Sequence, residues 1–218
     1  MRFALVTLHD ANYQGLANTT WDNNKLLYAH RYNYDAIAKN DNFNYNHPFL
    51  GFEKIKLLIE IMDKKEHDAL FWCGTDTSIT NFHIPLNEFL YEGYDVTIAS
   101  DFNFIFNTDV FLIRNTQRAR DWLQMIMDSM PVCHPIWFEQ GLMIDSYENN
   151  KDMIKIVPQR YLNAYPNITF KVNRAPTTLD FLGYSGLWRP GDFLMHSPGL
   201  PLQDKINVHQ SIISLIYK

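Results

Sequence analysis

The sequence predicts an α/β fold, a single compact domain in which a mostly parallel central sheet is flanked by helices. Three observations predict it. Short apolar runs alternate with helix-like patterns through the first half of the chain, as they do when parallel strands are joined by crossing helices. The runs Arg2–Leu8 and Ala69–Cys73 (ALFWC) read as buried strands. The length of 218 residues suits one domain with a full core, and no repeat or linker divides it.

The elements follow in order. Arg2–Leu8 is a strand, Trp21–Tyr32 a helix and Tyr34–Ala38 a short second strand. Asn40–Pro48 (NDNFNYNHP) is loop by composition. Gly51–Lys65 carries apolar residues at helical spacing, with Lys and Glu on the other face. Strands are expected at Ala69–Cys73, Val96–Ser100 and Val110–Ile113. Gln117–Met130 is an amphipathic helix stopped by Pro131, and Ile136–Tyr147 is a further helix. Met153–Val157 is a strand, Pro158–Pro190 an irregular aromatic-rich segment, Phe193–His196 a short strand and Asp204–Tyr217 a closing helix.

Composition removes several classes. The net charge is −5 and no basic run exceeds two residues, so nucleic acid is not an expected partner. No apolar stretch is long enough to span a membrane, and no leader is recognisable, so a cytoplasmic location is expected. Two cysteines, Cys73 and Cys133, make no disulfide framework. Aromatic residues reach 15%, which a core and its surface Tyr residues account for.

One stretch asks for chemistry. In "DALFWCGTDTSITNFHIPL" the apolar run stops at Cys73, and Gly74, Thr75 and Asp76 follow. Ligands of open α/β sheets bind beyond the carboxyl ends of the strands, where Asp76 falls. A carboxylate there suits Mg²⁺ or Mn²⁺, which takes one or two carboxylates and leaves other positions to substrate phosphates. The local chemistry suits a helix cap at least as well.

Six segments, in order, shift that balance. "LFWCGTDTSITN" resembles the W-x-D-x-D-x-x-I-T-N stretch of family 34 glycosyltransferases, and "NNKLLYAHRYNYD" its N-K-x-x-Y-A-x-R-H-G-Y-D. "GFEKIKLL" resembles W-x-K-x-x-x-L, "FNTDVFLIRNT" resembles L-N-x-G-x-F-L-I-R-N, "WFEQGLM" resembles D-D-Q-x-A-L, and "FLMHSPG" resembles H-F-x-G. The compact length is also similar to catalytic domains encoded by large algal viruses. The resemblance implies a GT-A (Rossmann-like) fold. Residues of about 1–115 would form the nucleotide-binding half, and about 116–218 the acceptor-binding half and closing helix.

It also implies a metal-dependent glycosyltransferase, using Mn²⁺ or Mg²⁺ and a nucleotide-sugar donor, most simply a UDP-sugar, with a glycan or glycoprotein acceptor. By resemblance Asp76 and His196 hold the metal. Gln140, Glu139 and Asp109 stand at the reacting sugar. Thr7, Lys54, Thr75, Asp76, Asn107, Gly199 and Lys205 contact the donor.

The departures are specific. Gly74 replaces the first Asp of D-x-D, which leaves the site a carboxylate short, and Asp109 replaces the Gly of N-x-G. The family's Lys after H-x-x-G is absent, which leaves Lys205 as the nearest substitute. Trp188 and Tyr184 are candidates to stack on an acceptor sugar. Two other readings remain open. One is an Asp-nucleophile phosphatase using Asp76, Thr80 and Asp192. The other is a non-catalytic nucleotide-sugar-binding module, to which the loss at position 74 is congenial.

Overall fold

The computed structural model describes residues 1–45 and 49–216. The end of the expected loop Asn40–Pro48 (residues 46–48) and Tyr217 of the expected closing helix lie outside the described residues.

The main sheet is built from β1 (Phe3–Leu8), β2 (Asp35–Lys39), β3 (Ala69–Cys73), β5 (Val96–Ala99), β6 (Val110–Arg114) and β7 (Ile154–Val157), in the order β2-β1-β3-β6-β5-β7. All run in one direction except β6, which pairs antiparallel with β3 on one side and β5 on the other. The reversal decides where the site falls. The chain leaving β3 at Cys73 and the chain entering β6 at Val110 meet at the same edge, with Cys73 registered against Val110.

A second, two-stranded antiparallel sheet was not expected: β4 (Thr77–Ile79) pairs with β8 (Leu194–His196), Thr77 opposite His196. β8 falls within the expected strand Phe193–His196, whereas β4, three residues long, carries too little alternation to be read from sequence.

Both faces of the main sheet are covered, as its apolar strands require. On β3, Leu70 and Trp72 face one core with Ile55, Leu58 and Met62 of the helix Leu50–Asp63 and Leu123 of the helix Gln117–Asp128. Ala69, Phe71 and Cys73 face the other, with Trp21, Tyr28, Phe193 and Leu194. The expected irregular segment 158–190 contains two short helices, Gln159–Leu162 and Asn167–Val172. The closing helix is Leu202–Ile216. Among the described residues, no helix is long and apolar enough to cross a membrane.

The expected helix Trp21–Tyr32 begins a full ten residues earlier. Asp10 caps the first turn at Ala11 by accepting from the backbone N–H groups of Asn12 and Tyr13, and the helical path ends at Asn33 in the left-handed region, φ 54°. Its middle, Asn18–Lys25, is π-helical. Bonding i to i+5 places residues 20, 24 and 25 on one side, and these three grip the segment after β3. Thr20 Oγ1 donates to the Thr75 carbonyl at 2.6 Å and Lys25 Nζ to the Gly74 carbonyl at 2.6 Å. Asn24 makes a reciprocal pair with Ile79, donating to its carbonyl at 2.9 Å and accepting its N–H at 2.8 Å. All three side chains are fully buried.

Asn24→Ala leaves a buried N–H and C=O of Ile79 without partners, so it is expected to destabilise the protein by about 2–4 kcal/mol. Denaturant unfolding checks this, and a change below about 0.5 kcal/mol would contradict it.

Candidate active site

The turn Gly74–Asp76 closes on β4 through the Thr77 N–H, which donates to the Gly74 carbonyl at 3.2 Å. The Asp76 carboxylate then meets groups from three other elements. Lys205 and His209, one turn apart on the closing helix, face it together. Lys205 Nζ donates to Asp76 Oδ2 at 2.6 Å. His209 reaches the Asp76 carbonyl and Ser197 Oγ with Nε2 and Ser78 Oγ with Nδ1, at 3.1, 2.9 and 2.7 Å. From β8, His196 Nε2 lies 3.3 Å from Asp76 Oδ1. From the entrance of β6, Asp109 Oδ2 lies 3.6 Å from the same nitrogen.

Ligand atoms of Asp76, Asp109 and His196 all lie within 4.8 Å of one another. His196 Nε2 is buried and has no hydrogen-bond partner, while Nδ1 faces Asn163 Oδ1 at 2.6 Å. One imidazole nitrogen with two carboxylate oxygens is a donor set suited to Mn²⁺ or Mg²⁺. The residues present therefore fit a divalent cation.

Charge is steeply organised here. Burial would raise the Asp76 carboxyl, but Lys205, and His196 when protonated, outweigh it and hold Asp76 well below the usual carboxylate range. Burial would lower Lys205, and Asp76 reverses that. Asp109 is raised, by burial first and then by Asp76 and Glu139, against Lys54 and His196. Burial pushes His209 down to about 3, so it is neutral at ordinary pH.

A cleft of about 340 Å³ opens over this group. Leu8, His9, Asp10 and Tyr13 form one stretch of its wall, and Lys54, Trp72, Gly74–Asp76, Asp109, Glu139 and Lys205 line it as well. Glu139 Oε1 accepts from Lys54 Nζ at 2.9 Å, and Lys54 also donates to the Thr108 carbonyl at 3.0 Å. A side chain at Gly51 would strike the Glu139 carboxylate, its Cβ falling 1.9 Å from Oε2, so only glycine admits that carboxylate beside the helix start.

The cleft gathers Asp76, Thr75, Lys54, Glu139, Asp109 and Lys205 among the residues expected from sequence, and buried His196 lies against Asp76, Nε2 to Oδ1 3.3 Å. Four expected residues stand elsewhere. Thr7 is 1% exposed inside β1, and the residues after it form the wall instead. Asn107 is turned inward, its Oδ1 accepting the Asp109 N–H at 2.8 Å. Gln140 Oε1 accepts from the Thr108 N–H at 3.2 Å and does not line the cleft. Gly199, at φ +71°, lies against Asn173.

Trp188 donates to Thr80, and neither it nor exposed Tyr184 lines the cleft. The phosphatase reading loses its acid, because Asp192 is held by Arg160 at 2.6 and 3.1 Å and by the Arg189 N–H at 2.8 Å. Sequence reasoning missed Lys25, His209, Trp72, Tyr13 and Asn163. Of these, Lys25 in the N-K pair and Trp72 at the W of W-x-D-x-D lay within quoted motifs.

No family model matches the chain, and no curated protein matches it in sequence. Solved structures do. A glycosyltransferase involved in glycosylation of the major capsid of PBCV-1 superposes with a TM-score of 0.75 over 97% of this chain and 100% of that one, at 11% identity. The chain has a glycosyltransferase fold. GlyE of Streptococcus pneumoniae TIGR4 gives a TM-score of 0.61 at 16% identity, covering 99% of this chain and 63% of that one. Galactosyltransferase LgtC, solved with donor and acceptor sugar analogs, gives 0.54 at 12% identity, covering 95% of each chain. The motif resemblance to family 34 gains no match of its own.

His209 supplies a pH dependence. Between about 3 and its ordinary 6.5 the unfolded chain binds a proton that the folded chain does not. Stability from this group is therefore whole above pH 6.5 and falls as pH drops, by about 1.4 kcal/mol per pH unit, until about pH 3. Unfolding at pH 7, 6 and 5 in EDTA is expected to show a steeper loss for the wild type than for His209→Gln. Equal slopes would contradict the assignment.

Proposed function

We propose that the protein is a glycosyltransferase that moves a sugar from a nucleotide-sugar donor to a glycan or glycoprotein acceptor, with a divalent cation held by Asp76, Asp109 and His196. The observation that carries this reading is the convergence of those three side chains, with His196 Nε2 unpartnered, on a cleft of nucleotide-binding size in a glycosyltransferase fold. Asp109 supplies the carboxylate that Gly74 lacks. Gly74 admits it closely, since a Cβ there would lie 3.3 Å from the Asp109 carbonyl and 3.6 Å from its Cβ. The choice of Mn²⁺ or Mg²⁺ and of a UDP-sugar rests on the ligand types and on the motif resemblance.

Sugar transfer breaks the bond between the anomeric carbon and the diphosphate and forms one to the acceptor oxygen. When bound, the cation supplies Lewis-acid neutralisation of the leaving diphosphate. The protein's own groups do the rest. Lys205 donates to Asp76 and would turn to a phosphate once a cation neutralises that carboxylate, whereas Lys54 is held by both Glu139 and Thr108. A carboxylate near the anomeric centre stabilises the positive charge that develops there. Glu139 and Asp109 line the cleft and fit that role, whereas Gln140 reaches it only by leaving Thr108. The wall of His9, Asp10 and Tyr13 would face the base.

Incubation with UDP-, GDP- and TDP-sugars and Mn²⁺, followed by assay of free nucleoside diphosphate, tests the proposal. Release from a UDP-sugar that EDTA abolishes is the expected result. Binding without turnover would make the chain a binding module, and hydrolysis of a generic phosphoester would return the phosphatase reading.

Cation and nucleotide should bind with positive coupling, each raising the other's affinity by one factor. His196→Ala is accordingly expected to weaken UDP binding in Mn²⁺ by about tenfold or more and to change it little in EDTA. Asp76→Asn should behave alike but more severely. Calorimetry in the two buffers decides, and variants indistinguishable from wild type in Mn²⁺ would overturn the ligand set.

A further inference from the structure

Behind the cleft, buried side chains form one hydrogen-bonded chain that ends on His196. Asp101, Asn163, Tyr165 and His196 are each 2% exposed or less. The direction of every bond follows from what each group offers. Asp101 accepts the Asn103 N–H on Oδ1 at 2.8 Å and the Tyr165 hydroxyl on Oδ2. With its one proton spent there, Tyr165 Oη has only lone pairs left. Two amides point at that oxygen, Asn163 Nδ2 at 3.1 Å and Asn107 Nδ2 at 3.4 Å. Each must present its NH₂ group and turn its own oxygen the other way.

The two arms then reach two members of the proposed ligand set. Asn107 Oδ1 accepts the backbone N–H of Asp109 at 2.8 Å. Asn163 Oδ1 faces His196 Nδ1 at 2.6 Å, and an amide oxygen only accepts, so Nδ1 carries a proton. The exchangeable position on the ring is therefore Nε2, which points at Asp76 and Asp109. A neutral imidazole with its proton on Nδ1 presents the Nε2 lone pair, which is what a divalent cation takes as a ligand.

We infer that Asp101, Tyr165 and Asn163 are positioning residues that keep the Nδ1 proton on His196 and so reserve Nε2 for a cation. Burial raises the Asp101 carboxyl, and the hydrogen bonds from Tyr165 and the Asn103 N–H oppose that; with both oxygens accepting, Asp101 acts here as the carboxylate. The opposite amide orientation would point Asn163 Oδ1 at that carboxylate, 3.5 Å away, and at a hydroxyl with no proton to give. The cation half of the inference rests on the proposed function; the assignment of the proton does not.

The test has two parts. Long-range ¹H–¹⁵N correlation spectra of the ¹⁵N-labelled, metal-free wild type report which nitrogen of His196 is protonated. Electron paramagnetic resonance titration with Mn²⁺ in the presence of UDP gives affinities for wild type and Asn163→Leu, with thermal melting as the check on folding. The expected results are a protonated Nδ1 in the wild type and a loss of Mn²⁺ affinity of about tenfold to a hundredfold in Asn163→Leu. A bare Nδ1 in the wild type overturns the inference, and this measurement stands even if the variant fails to fold. A folded Asn163→Leu that binds Mn²⁺ like wild type overturns it as well. Absence of Mn²⁺ binding by the wild type overturns the cation site itself, and is told apart because it appears before any substitution is made.

Discussion

A carboxylate that lines a cleft persists as an anion only if positive charge surrounds it, and the structure around Asp76 is arranged by that requirement. Transfer of an unpaired carboxylate out of water is prohibitive. Lys205 answers it directly, from the closing helix. Buried Lys25 answers it at one remove, through the carbonyl of Gly74. His196 approaches it from β8, with Nε2 at 3.3 Å. Each requires its element to be where it is: the last helix across the sheet edge, the π-helical turn beneath the loop, and β8 paired to β4. The cleft is thus surrounded by several separate parts of the chain that share one electrostatic purpose.

The antiparallel β6 adds the second ingredient. In an all-parallel sheet the residues entering a strand lie at the opposite edge from those leaving its neighbour. Reversing β6 brings Asp109 beside Gly74 and places a second carboxylate within reach of His196. Two carboxylates and one lysine–glutamate pair, Lys54 with Glu139, then share a confined space. Burial, reinforced by Asp76 and Glu139, pushes Asp109 up, while Lys205 at 2.6 Å outweighs burial at Asp76 and pushes it down. On the proposed function, a donor diphosphate would arrive as more negative charge, and a divalent cation would let the two coexist.

Much of the frame was legible because it is local. Ala69–Cys73 reads as a strand from five consecutive buried residues, and Leu50–Asp63 reads as a helix from its apolar spacing. The positions of Asp76, His196 and Lys205 were legible too, because each sits in or beside a quoted motif. What escaped depends on distance along the chain. The deficit at Gly74 was visible, but its remedy at Asp109 is a matter of strand register. β8 reads as the short strand at 193–196, but β4 is too short to announce itself, and the π-helical grip of Thr20, Asn24 and Lys25 is visible only once the segment Gly74–Ile79 is placed against it. The Asn163–Tyr165 arm lies in a segment that composition alone marks as irregular.

The most direct test of this account is a crystal of the protein grown with Mn²⁺ and UDP, with an anomalous difference map collected to locate manganese. The account predicts one peak at about 2.0–2.2 Å from His196 Nε2 and from an oxygen each of Asp76 and Asp109. Lys205 should have turned from Asp76 to the diphosphate. Manganese bound elsewhere, or bound without Asp109 and His196, would contradict it.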